Sequence, residues 1–124
     1  MRSGSVELRR HSGAWLLVLH GEHDLSTAPA LRLELERAFA AGSAVIVDLS
    51  KVEFIDSTTL ANIWHGQAEA RQHSEHGFAV VAPPGTIGRR LIELVTLDEV
   101  VPVYATSDEA IAAAQAQQEN SIPD

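Results

Sequence analysis

The chain has 124 residues, of which 45% are hydrophobic and 21% charged, a balance that fits one globular domain with a core large enough to need no covalent staples. It holds no cysteine, which excludes disulfides, thiolate-bound zinc and thiol catalysis. Seventeen acidic residues against nine basic ones give a net charge of −8, with no basic stripe that could displace counterions from nucleic acid.

The longest apolar run, Ala14 to Leu19, falls far short of the roughly 18 residues that a membrane span needs. Residues 1–5 lack the apolar segment of a secretory leader and read as a flexible N-terminus, so a cytoplasmic setting is expected. The acidic balance suits solubility or a basic protein partner.

Val6 to Arg10 and Ala14 to His20 read as two strands joined by a hairpin at Ser12-Gly13. A loop at Gly21-Glu22-His23-Asp24-Leu25 leads to a helix starting at Ser26 or Thr27, with Pro29 tolerated in its first turn. Ala28, Leu31, Leu35, Ala38 and Phe39 carry its apolar period, and Ala41-Gly42 ends it. Val45 to Leu49 is apolar enough for a strand buried on both faces; a turn and a short step at Phe54-Ile55 follow.

A second helix is expected from about Ser57 to Glu75, stopped by Gly77. Phe78 to Ala82 is a fourth strand, and Pro83-Pro84-Gly85 a turn into a third helix bearing Ile87, Leu91, Leu94 and Val95. Val100 to Tyr104, interrupted by Pro102, suits a strand at a sheet edge. Ser107-Asp108-Glu109 caps a last helix over Ala110 to Ala114, and 115–124 is a polar tail. Strands alternating with helices after one hairpin imply a single α/β domain: a mixed, mostly parallel sheet of about five strands with about four helices.

The most informative polar cluster is Asp56-Ser57-Thr58-Thr59, which opens the second helix. A helix N-terminus presents free N–H groups and partial positive charge. Its side chains there are therefore either caps, through Asp56 or Ser57, or a place for a phosphate. As a phosphoserine, Ser57 would carry about −1.5 to −2 charges beside Asp56 and, if its loop is close, Asp24. That charge could stay folded in place and still repel a partner.

His20-Gly21-Glu22-His23-Asp24 could supply metal ligands, but no third histidine stands at a recognisable spacing and no metal is expected. Neither a Gly-x-Ser-x-Gly elbow nor a Gly-x-x-x-x-Gly-Lys phosphate loop occurs, so neither catalysis nor a cofactor is expected. A hydrolase or metalloprotein built on His23, Asp24 and Ser57 lacks a supporting motif. Trp15 and Trp64 read as packing residues, with Trp64 a partner anchor if it is exposed.

Several blocks, in order, resemble the STAS domain of bacterial anti-sigma factor antagonists. Gly21-Glu22-His23-Asp24 with Thr27-Ala28-Pro29 and Leu31-Arg32 is similar to the family's entry to its first helix. Val47-Asp48-Leu49-Ser50 with Val52, Phe54 and Ile55-Asp56-Ser57 is similar to its signature strand and switch turn. Leu91 to Asp98 is similar to its Leu-x-x-x-Gly-Leu-x segment, and Tyr104 with Ser107 to Ala113 to its closing helix. The resemblance covers roughly 6–114, taken as the STAS domain.

It implies a non-enzymatic protein that binds a kinase-type anti-sigma factor of the GHKL class and frees a sigma factor. Phosphorylation of Ser57 would switch that binding off, and a separate serine phosphatase would restore it. Glu22, His23, Asp24, Asp56, Ser57, Thr58, Thr59 and Asn62 are then the expected partner-binding residues. The same family offers a second role, as a scaffold subunit of a transporter or stress-sensing complex in which Ser57 is only a helix cap. Two departures from the family stand out: Thr58-Thr59-Leu60 in place of Ser/Thr-Gly-Leu, and Thr96-Leu97 in place of Gly-Leu. Thr59 is expected to set a branched side chain where a partner's backbone would otherwise approach.

Overall fold

The computed structural model describes residues 4–42, 44–73 and 76–120. Its elements follow the order β1 (Ser5–His11), β2 (Ala14–His23), α1 (Ala28–Ala40), β3 (Val45–Ile55), α2 (Ser57–Gln72), β4 (Phe78–Val81), α3 (Ile87–Leu94), β5 (Val103–Tyr104) and α4 (Ser107–Asn120). A single 3-10 turn at Leu97–Glu99 separates α3 from β5. The five strands form one sheet in the spatial order β1-β2-β3-β4-β5. β1 and β2 pair antiparallel and every other neighbour is parallel, as expected for a hairpin followed by crossovers.

Alternation along the strands divides the core into two layers. Leu17 and Leu19 of β2 and Val45, Val47 and Leu49 of β3 face one side. There they pack against Leu31, Leu35 and Phe39 of α1, Ile63 of α2 and Ile92 of α3. Leu16, Val18, Ile46, Ala79 and Val81 face the other side, against Ala110, Ile111 and Ala114 of α4. Three helices therefore cover one face and α4 covers the other.

The strands that lead to the polar cluster are longer than their composition suggested. β2 continues through His23, so most of the expected loop at 21–25 is strand. β3 runs unbroken to Ile55, with no turn after Leu49. Its inward residues step by two through Val45, Val47 and Leu49, then by three to Val52 and Ile55. Two register shifts against β2 absorb the extra residues, which are bulges that a strict two-residue pattern misreads as a turn. The end of this β2–β3 pair extends beyond β4, whose pairing with β3 stops at Asp48.

Other boundaries also move. β5 shrinks to two residues because Leu97–Glu99 coils and Val101 is buried below it. α4 does not stop at Ala114. Gln117 exchanges bonds with the Phe78 backbone (3.0 and 3.2 Å), Gln115 donates to the Ser12 carbonyl and Gln118 to that of Gly42. These amides hold the helix to the sheet through residues expected to form a polar tail.

The start of α4 is capped one residue earlier than expected, by the Thr106 hydroxyl, which accepts the Glu109 N–H. α2 ends at Gln72, with His73 as its C-cap; its expected end at Glu75 lies outside the described residues, as do 1–3 and 121–124. Ser5 is already strand, and Gly4 lies so close to the His23 ring that a Cβ would stand 2.8 Å from Nε2.

Candidate functional site

The carboxyl ends of β2 and β3 lie side by side, and each feeds a helix. In open α/β sheets this edge is where functional groups gather, because helix N-termini point to it. His23 pairs with Ile55 in the last rung, and the Asp56 N–H donates to the His23 carbonyl at 3.1 Å. The Asp24 loop and the Asp56 turn are thereby joined edge to edge.

At the start of α2, Asp56 holds the cap. Its extended backbone (φ −114°, ψ −173°) turns Oδ1 onto the Thr58 N–H at 3.0 Å and the Thr59 N–H at 3.3 Å. The Thr58 hydroxyl donates to the same oxygen. Ser57 is the first residue of the helix and is not its cap, which corrects the reading of that side chain as a cap alone. Its side chain is exposed and has no hydrogen-bond partner among the described residues.

The facing loop is organised the same way. Asp24 Oδ1 accepts the Ser26 N–H at 2.9 Å and the Ser26 hydroxyl. Those two donors, the hydroxyl first, hold the Asp24 carboxyl below the usual aspartate range, so it is ionised beside the Ser57 turn. Thr27 precedes α1 without capping it; its Oγ1 instead accepts the Asp24 N–H and lies 3.2 Å from His23 Nδ1.

Three of the expected contact residues turn inward. His23 is fully buried: its Nε2 faces the carbonyls of Ser5 (3.2 Å) and His20 (3.1 Å), and burial lowers its proton affinity against the opposing pull of those carbonyls. It supports the loop from beneath. Asn62 is buried too and donates to the Ala28 carbonyl at 3.0 Å, tying α2 to the first turn of α1.

Thr59 is 0% exposed, and its Oγ1 is buried with no hydrogen-bond partner among the described residues. The branched side chain therefore does not obstruct the surface beside Ser57, contrary to the expectation from sequence. Of the eight expected contact residues, Glu22, Asp24, Asp56, Ser57 and Thr58 are accessible in whole or in part. Among the described residues no cluster of three His, Cys, Asp or Glu side chains is placed to hold a metal ion.

Exposed apolar side chains stand on the same elements as the acidic pair, two of them not expected from sequence as contact residues. Leu25 is 72% exposed on the Asp24 loop, and Phe54 is 45% exposed two residues before Asp56. Trp64 is 51% exposed. With Ala61 it continues the Ser57 face of α2, about 10 Å along the axis. An apolar residue next to a charged one at a strand end was the available signal, but alone it reads as core.

The family model described as "Mlab, STAS domain" matches residues 6–102. The chain belongs to the STAS domain family. It is 32% identical over 108 residues to the anti-sigma-F factor antagonist RsfB of Mycobacterium tuberculosis, covering 86% of each chain. The crystal structure of an anti-sigma factor antagonist from Mycobacterium paratuberculosis superposes with a TM-score of 0.79 at 34% identity, covering 91% of this STAS chain and 95% of the other. SpoIIAA in its unphosphorylated form shares the fold at 17% identity, with a TM-score of 0.67 and coverage of 90% and 98%.

Proposed function

We propose that this STAS domain is an anti-sigma factor antagonist switched at Ser57. It binds a GHKL-type anti-sigma factor kinase through the surface formed by the Asp24 loop, the Asp56 turn and the exposed face of α2, and so releases a sigma factor. The kinase phosphorylates Ser57 and binding is lost; a serine phosphatase reverses it. The protein acts in the cytoplasm by binding, without catalysis of its own. The names of its relatives support the class of partner.

The observation that carries the switch is the division of labour at the start of α2. Asp56 satisfies the helix end and fixes the Thr58 hydroxyl, while the neighbouring Ser57 hydroxyl is exposed and unengaged. Ser57 is therefore the acceptor and Thr58 is not. A phosphate on Ser57 would keep the favourable field of the helix N-terminus, so the fold would tolerate it. Standing beside Asp56 and an ionised Asp24, it would also concentrate negative charge where the partner docks.

The test is binding of wild type, Ser57→Ala and Ser57→Asp to the cognate anti-sigma factor, with mass spectrometry after incubation with that protein and ATP. Ser57→Ala should bind like wild type and take no phosphate, and Ser57→Asp should bind at least about tenfold more weakly, a cost of about 1.4 kcal/mol. Equal binding by the two variants, or phosphate on Thr58 alone, would rule the switch out.

A further inference from the structure

We propose that the outer edge of β1 is a self-association surface, on which a second copy of this chain adds its own β1 antiparallel about a two-fold axis at Leu8. β1 is the terminal strand of the sheet, and no described residue pairs with its outer side. The strand runs seven residues, Ser5–His11, and every second one turns its N–H and C=O outward, where a partner strand would pair. Charges on an edge commonly keep sheets apart, but here Glu7 and Arg9, two residues apart on one face, carry opposite signs.

Pairing across β1–β2 places Glu7 opposite Val18 and Arg9 opposite Leu16, which fixes Glu7 and Arg9 on the face toward α4; Val6, Leu8 and Arg10 point the other way. α4 packs mainly against β3, β4 and β5; it meets the end of β1 where His11 Nε2 lies 3.5 Å from Asp108 Oδ1, and leaves Arg9 exposed and Glu7 partly so.

The register that overlaps the whole strand sets Ser5 against His11, Val6 against Arg10, Glu7 against Arg9 and Leu8 against itself. It therefore creates two Glu7–Arg9 pairs between chains. Shifting by two residues in either direction opposes Glu7 to Glu7 or Arg9 to Arg9, and shifting by one exchanges the faces. The longest overlap and the favourable charge pattern thus coincide. Glu7 is already oriented for this role: its carboxylate lies 2.9 Å from His20 Nε2 and 2.7 Å from Arg9 Nε, leaving the rest of the Arg9 guanidinium for a partner. Leu8, 46% exposed, gains an apolar neighbour on the axis.

The two-fold stands perpendicular to the sheet, so the two Ser57 edges point in opposite directions and both stay open. Seven edge residues bury less than the 1,200 Å² or so of a tight interface, so the dimer is weak and depends on concentration.

Sedimentation of the full chain from micromolar to millimolar protein tests the proposal, with Glu7→Arg, Arg9→Glu and an equimolar mixture of the two. Wild type should shift from monomer to dimer across that range. Each variant alone opposes like charges at the edge and should stay monomeric. In the mixture one edge carries two arginines and the other two glutamates, so opposite charges meet on both sides of the axis and a heterodimer should form. Neither variant regains the pair within its own chain, so recovery in the mixture reports contact between chains. Circular dichroism checks folding, and Leu8→Lys, which sets two lysines on the axis, should also be monomeric. A wild type monomeric throughout, or single variants that dimerise like wild type, would overturn the proposal.

Discussion

The Asp56 N–H donates to the His23 carbonyl across 3.1 Å, and this bond closes the β2–β3 pair directly beneath the two acidic turns. The side chain of His23 is locked below by two carbonyls, while that of Asp56 caps the helix above. Switch geometry and fold stability thus meet in these two residues, and substitutions at them separate the two roles.

Asp56→Ala should destabilise the domain by about 1 kcal/mol, the usual cost of a lost N-cap. Asp56→Asn keeps an acceptor at the same place and should retain most of that. Urea denaturation of the three proteins reads the difference. Without the carboxylate the Thr58 hydroxyl also loses its acceptor, so Asp56→Ala is the variant in which phosphate should begin to spread from Ser57 to Thr58. Mass spectrometry of the treated variant checks this.

His23 makes the fold sensitive to acid. Burial depresses its proton affinity in the folded state, so below the ordinary histidine value of about 6.5 the unfolded chain takes up a proton that the folded chain does not. The stability tied to the neutral ring is fully present above about pH 6.5 and is lost progressively as pH falls from there toward the depressed folded value. Wild type should therefore lose stability between about pH 7 and 5 more steeply than His23→Gln, although the variant starts lower. Urea midpoints across that range decide it; parallel curves would remove His23 as the cause.

Thr59 shows where sequence stops being informative. The order of elements, the single antiparallel hairpin and the cluster at the head of α2 were all legible, because strand composition, helical period and capping chemistry are local. Which way Thr59 points was not, since the rotation of α2 is set by Ile63, packed into the core one turn later, and by the Asn62–Ala28 bond across 34 residues. The bulges in β3 were hidden for the same reason: they exist only relative to β2. Thr59→Val replaces a buried hydroxyl, which has no partner among the described residues, with a methyl of similar size. It should leave partner binding unchanged and hold or raise stability by up to about 1 kcal/mol. A clear fall in melting temperature would mean that the hydroxyl is bonded after all.

Gly66 is set by close approach. A Cβ there would lie 2.7 and 2.8 Å from two atoms of the Phe78 ring, which is itself fully buried. Gly66→Ala gains helix propensity, but the ring cannot yield without disturbing Phe39, whose centroid is 6.1 Å away. Overpacking should win, lowering stability by about 1–3 kcal/mol by chemical denaturation. An unchanged or higher midpoint would show that the ring has room to shift.

Trp64 separates binding from folding on the proposed docking face. The indole is half exposed and meets the His65 ring edge-on at 5.5 Å, so truncation removes little core packing. Large aromatic side chains beside a charged centre dominate the energetics of many interfaces, at about 2 kcal/mol or more each. Trp64→Ala should therefore weaken binding to the anti-sigma factor by about 30-fold while its urea midpoint stays near that of wild type. Leu33, equally apolar but on the outer side of α1, supplies the control: Leu33→Ala should leave binding unchanged. If the two substitutions weaken binding alike, the partner does not dock along the Ser57 face of α2, and contact must centre on the Asp24 loop with Leu25 and Phe54.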